Sequence, residues 1–142
     1  NVYEEIVDSL TKVILRKYIF RYIDHLIEMN IPFTLIMIDL DNFKLINDNY
    51  GHVIGDKVLV DVAARLMDYV GERGVVGRYG GDEFLIVYLG KSTYDDTYEF
   101  VRNIYGENSV LRRTVFLNNI YKNYENIVYK IYYLVKIYFD FF

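Results

Sequence analysis

The chain has 142 residues, no cysteine and two histidines, His25 and His52, the size of one domain with a core of its own. Composition excludes disulfides and thiolate chemistry and argues against a histidine-built zinc site. Sixteen Lys and Arg against 20 Asp and Glu leave a net charge of −4, which disfavours sequence-independent nucleic-acid binding.

No secretory leader opens the chain, and a start on Asn1 reads as a piece of a longer polypeptide. The first strong periodic signal is Ile19, Ile23, Leu26 and Ile27, which predicts a helix over 15–29. Asn30 followed by Pro32 marks its stop. Residues 33–40 are almost continuously apolar, as a strand buried on both faces is. A polar turn at Asp41 and Asn42 leads into a short helix that ends near Tyr50 and Gly51. Gly55 and Asp56 are expected to open a longer helix with Val58, Val62, Leu66 and Met67 on one side. Gly71 and Gly74 break it.

Residues 75–79 and 84–88 then predict a β-hairpin with Gly80 and Gly81 at its tip. Ser92 and Thr93 suit the cap of a helix reaching about Tyr105. Residues 110–117 suggest a strand. Ile120, Tyr124, Ile127, Ile131, Leu134 and Tyr138 fall at helical spacing in a stretch rich in tyrosine and phenylalanine. Lys130, Lys136 and Asp140 make its apolar end too short and too charged for a membrane span, so no membrane insertion is expected. The order of elements predicts an α/β (α+β) domain, a mixed sheet with helices packed against it.

Chemistry concentrates in two acidic pairs. Asp39 and Asp41 stand two residues apart where an apolar strand ends, and strand alternation points both carboxylates to one side. Such a pair either holds a divalent cation or is simply an acidic turn. Asp82 and Glu83 follow the two tip glycines, which leave room for phosphates to approach. An ordinary charged hairpin tip is the alternative. Two acidic tips on neighbouring strands suit metal-assisted phosphoryl or nucleotidyl transfer. Between them, Asn47 and Asp56 offer an amide and a carboxylate, which match the N1–H, N2–H and O6 groups of guanine. A turn residue and a helix cap are the plainer readings of these two. His52 reads as structural. Gly90-Lys91-Ser92 is rejected as a phosphate-binding loop because Leu85 stands where that motif requires glycine.

Taken together, Arg78-Tyr-Gly-Gly-Asp-Glu-Phe84, Ile38-Asp-Leu-Asp-Asn-Phe-Lys44, Ile46-Asn-Asp48 and Gly51-His-Val-Ile-Gly-Asp56 resemble the GGDEF domain of bacterial diguanylate cyclases over about residues 8–88. The resemblance implies a palm-like, nucleotidyl-cyclase-like, mainly antiparallel sheet flanked by helices. It implies an enzyme that condenses two GTP molecules into cyclic di-GMP with Mg²⁺ or Mn²⁺. Position by position, it makes Asp39, the Leu40 carbonyl and Asp82 metal ligands and Asp82 and Glu83 catalytic. Asn47 and Asp56 become the guanine readers, Gly80 and Gly81 the seat of the triphosphate, and Lys44 a phosphate support. A homodimer, an upstream sensory domain and a cytoplasmic location, within a membrane-attached parent or not, are further implications. So is the alternative of an inactive module that binds GTP or a protein.

Departures are specific. Asp8, Leu10, Thr11 and Arg16 agree with the amino-terminal block of the family, whereas Lys12, Val13 and Leu15 replace its Gly, Leu and Asn. Gly71 and Gly74 stand where the inhibitory product site has its Arg and Asp, so feedback there is not expected. Residues 89–142 lack the later family motifs, and the whole reads as a single domain, 1–142, with a divergent end.

Overall fold

The computed structural model describes residues 2–41, 43–89, 111–118, 123–124, 127–128 and 130–139. In chain order these form α1 (Val2–Ile6), β1 (Ile14–Leu15), α2 (Arg16–Glu28), β2 (Phe33–Asp41), α3 (Phe43–Tyr50) and α4 (His52–Val70). After a 3₁₀ turn at Gly71–Arg73 come β3 (Gly74–Arg78), β4 (Glu83–Leu89), β5 (Leu111–Asn118), β6 (Asn123–Tyr124), β7 (Ile127–Val128) and β8 (Lys130–Phe139).

α2 stops where the sequence says it must. Asn30 takes φ 55°, the left-handed conformation that asparagine tolerates. Its N–H donates to the Ile27 carbonyl at 3.1 Å, and the Ile31 N–H donates to the Leu26 carbonyl at 2.9 Å. These two bonds satisfy carbonyls that the last turn leaves open. α4 begins earlier than its glycine signal suggests. Gly51, at φ 85°, makes the turn that favours glycine, so the helix starts at His52 and Gly55 lies inside it.

Six strands form one sheet in the order β1-β3-β4-β2-β8-β5. The pairs β3–β4, β4–β2 and β8–β5 are antiparallel, whereas β1–β3 and β2–β8 are parallel. The sheet is thus mixed and mainly antiparallel, with α/β architecture as expected. β4 shows why its sequence is apolar without alternation. Phe84 and Ile86 enter the core built with α3 and α4, and Leu85 and Val87 enter a second core under α2. All four are essentially buried, each contributing about 1.5–3 kcal/mol relative to exposure.

The carboxy-terminal third corrects one expectation. Residues 130–139 are a strand, not part of a helix, and lie parallel to β2 from Thr34↔Lys130 to Asp41↔Tyr138. Nearly every residue of Ile131-Tyr-Tyr-Leu-Val-Lys-Ile-Tyr-Phe139 is apolar, so helical spacing is satisfied by default. β-branched and aromatic side chains then favour the pleated sheet. The strand expected over 110–117 is β5. The helix expected after Ser92 lies outside the described residues. No described helix is long and apolar enough to cross a membrane.

Candidate active site at the β2 and β4 ends

The register of β2 against β4 sets Asp39 directly opposite Glu83. One residue further on, the Leu40 N–H donates to the Asp82 carbonyl at 3.0 Å, stitching the end of β2 to the hairpin tip. Leu40 is 1 % exposed and anchored in the α3–α4 core, while half-buried Asp39 shares the α2 face with Met37. Asp39, Asp82 and Glu83 therefore come together. The side chain of Asp41 lies outside the described set.

Glu83 registers the crowding. Burial, then the charges of Asp39 and Asp82, push its pKa above the ordinary carboxylate value, and the Arg16 guanidinium opposes them. Arg16 is held in place by stacking 4.1 Å from the Tyr79 ring centroid and 5.7 Å from that of Phe20.

The two tip glycines differ in purpose. Neither takes a positive φ. A methyl at Gly80 would overlap Glu83 Oε1, whereas among the described residues one at Gly81 would meet nothing within 4 Å. The first glycine lets the carboxylate fold back over the turn, and the second leaves open space beside it. The Glu83 carbonyl accepts N–H bonds from Tyr79 at 2.8 Å and Gly80 at 3.3 Å.

Arg78 fixes the rest of the tip, a role that its motif position does not disclose. Its Nε donates to the Gly80 carbonyl at 3.3 Å and its Nη2 to the Gly81 carbonyl at 2.8 Å. Nη1 reaches 70 residues back to Asp8 Oδ2 at 3.0 Å. The same carboxylate accepts the N–H and hydroxyl of Thr11 at 2.8 and 2.7 Å. An Asp followed three residues later by Thr is the local signal for such a turn; the tie to Arg78 has none.

On the opposite face, Asn47 is inside α3 and Asp56 is the fifth residue of α4, so neither a turn nor a cap explains them. Among the described residues, Asn47 Oδ1 is buried without a hydrogen-bond partner. Exposed Asp56 borders a depression of about 240 Å³ lined also by Leu10, Lys57, Val60 and Asp61. Lys44 is exposed in the first turn of α3, and His52 is exposed at the start of α4. Among the described residues no three His, Asp or Glu side chains form a ready-made metal cage.

Residues 5–122 match the family described as diguanylate cyclase, GGDEF domain. This chain belongs to that family. The match runs past Tyr88, where the legible motifs end. Diguanylate cyclase DgcP of Escherichia coli (strain K12) is 44% identical to this GGDEF domain over 92 residues, 62% of this chain and 27% of that protein. Diguanylate cyclase DosC of the same strain is 44% identical over 84 residues, 56% of this chain and 18% of that protein. The chain thus spans less than a third of either relative. Among solved structures, the GGDEF domain of DgcB from Caulobacter crescentus in complex with c-di-GMP superposes with TM-score 0.64 at 27% identity, covering 78% of this chain and 65% of that one. Diguanylate cyclase SiaD from Pseudomonas aeruginosa, in complex with its activator SiaC, gives TM-score 0.67 at 26% identity, covering 92% of this chain and 48% of that one.

Proposed function

We propose that this GGDEF domain condenses two molecules of GTP into cyclic di-GMP. The observation that carries the reading is the meeting of Asp39, Asp82 and Glu83 beside the open space over Gly81. Three carboxylates drawn together, one of them with its pKa raised first by burial and then by the charges of the other two, suit a hard divalent cation, Mg²⁺ or Mn²⁺. Mg²⁺ ordinarily takes one or two carboxylates plus substrate phosphates, so a preformed cage of three acids is not required. Asp39, Asp82 and the Leu40 carbonyl would hold it. When bound, the ion neutralises phosphate charge and polarises the reacting phosphoryl group.

The chain's own residues do the remainder. Asp56 accepts the N–H donors of guanine and the Asn47 amide donates to O6. Lys44 supports the triphosphate, which lies over Gly80 and Gly81. Asp82, with Glu83 beside it, takes the one proton released as the 3′-hydroxyl oxygen of one GTP attacks the α-phosphorus of the other. That P–O bond forms as the bond to pyrophosphate breaks, and a second, reciprocal step closes the ring with release of a second pyrophosphate. Each GTP must attack the other, which a two-fold homodimer of this domain provides. The relatives are longer, and SiaD is solved with its activator. Accordingly, 1–142 is read as one domain of a longer bacterial protein, on the cytoplasmic side and under the control of an upstream sensory domain.

Incubation with GTP and Mg²⁺ should yield cyclic di-GMP and pyrophosphate in the ratio one to two. Asp82→Ala should lower the rate by at least about 100-fold, on the order of the loss of one charged transition-state contact. Binding of GTP without product, unchanged by Asp82→Ala, would instead identify a non-catalytic binding module.

A further inference from the structure

Gly55 occupies a position that a helix ordinarily gives to another residue. It is buried in the interior of α4 and takes no positive φ, so no turn requires glycine there. A helix-interior glycine costs about 1 kcal/mol relative to alanine. Space is what demands it. A methyl on Gly55 would overlap Asn47 Oδ1, approach Asn47 Cγ to 2.9 Å and Phe43 Cζ to 3.3 Å.

The Asn47 carboxamide is therefore seated in a notch that exists only because Gly55 lacks a side chain. Its oxygen faces α4, buried and without a partner. Leaving such an acceptor unsatisfied is unfavourable, so the orientation needs a cause in the packing around it. Because the amide is planar, turning Oδ1 inward sends the NH₂ end the other way. That end donates only. It suits the O6 acceptor of guanine and opposes the 6-amino donor of adenine.

We infer that Gly55 is a positioning residue for base selection, acting through Asn47. This rests on the GTP reading above and adds a specificity role that neither the acidic tip nor Asp56 supplies. Alanine at 55 would push the carboxamide out of its seat and turn the amide away from its set orientation.

The test compares the unmodified chain with Gly55→Ala, Asn47→Ala and the double variant. The probes are guanosine and adenosine 5′-(α,β-methylene)triphosphates, whose bridging carbon blocks pyrophosphate departure. Gly55→Ala should weaken guanosine binding about tenfold, the scale of one hydrogen bond, and leave adenosine binding nearly unchanged. Added to Asn47→Ala, it should cost nothing more. Thermal midpoints form a second cycle that needs no ligand: Gly55→Ala should lower the midpoint more when Asn47 is present than in the Asn47→Ala background.

Guanosine binding by Gly55→Ala equal to that of the unmodified chain overturns the inference. So does an equal loss of binding, or of thermal stability, in both backgrounds. If Gly55→Ala does not fold, rescue by Asn47→Ala supports the notch, and no rescue overturns it. Failure of the unmodified chain to bind the guanosine probe overturns the nucleotide reading, while the thermal cycle still judges the notch.

Discussion

Lys12 takes φ 67°, a left-handed conformation in which an L side chain crowds its own backbone. Its N–H donates to the Asp8 carbonyl at 2.8 Å and closes the turn between α1 and β1, so the conformation is held in place by the fold. The side chain is exposed and contributes little that glycine would lose. Lys12→Gly should therefore stabilise the domain by about 1 kcal/mol, part of the gain being offset by the greater freedom of glycine in the unfolded chain. A rise of about 3–5 °C in thermal midpoint is the expected reading, and an unchanged or lower midpoint would show that the strain is relieved elsewhere. Gly74 illustrates the opposite case. A methyl there would overlap the Val87 carbonyl oxygen and come within 3.0 Å of Tyr88 Cα, so the β3–β4 pairing admits no side chain at that position.

Between elements, an ion pair joins the turn after α1 to the β3–β4 hairpin through Asp8 and Arg78. Burial alone would raise the Asp8 pKa. The Thr11 N–H, the Thr11 hydroxyl and the Arg78 charge together outweigh it and hold the pKa below the ordinary 3.8. A depressed carboxylate pKa contributes stability that is present above the unfolded value and lost as pH falls through the folded one. Asp8→Asn should thus cost about 1–3 kcal/mol at pH 7. The difference from the unmodified chain should be constant above about pH 5 and close below about pH 4. Denaturant titrations across that range check it, and a gap that persists at low pH would exclude the ion pair as its source.

Legibility in the sequence follows the range of the interaction. The stop of α2, the hairpin and the double-faced strand β2 rest on signals a few residues long, and all are readable. β8 is not, because a run with almost no polar residues fits either period and only its neighbours β2 and β5 decide between them. Asp39, Asp82 and Glu83 are visible as acids on adjacent strands, but the register that opposes Asp39 to Glu83 belongs to the fold. The role of Arg78 depends on a partner 70 residues away. Gly55 looks like a helix start in sequence because a glycine without a turn carries no local meaning; its neighbour across the α3–α4 contact supplies it.

For the molecule as a whole, the sheet separates two kinds of surface. Asp39 and Glu83 stand on the α2 face, while Asn47 and Asp56 come from the helices of the other. A nucleotide that touches both sets must reach around the β2 and β4 ends. Catalysis that needs two copies should show specific activity rising with protein concentration at low occupancy and levelling off once dimers dominate. Dilution series with product quantified at each step test this, and specific activity that stays constant down to nanomolar protein would rule out the dimer.

The Asp8 carboxylate serves two ends at once. It closes the amino-terminal turn through Thr11, and through Arg78 it sets where the Gly80 and Gly81 carbonyls point. Shape at the acidic tip and integrity of the fold are consequently written in the same oxygen atom. Loss of that carboxylate loosens both at once. A substitution at Asp8 therefore disturbs the tip and the turn together, whereas one on the open side of Gly81 meets neither set of bonds.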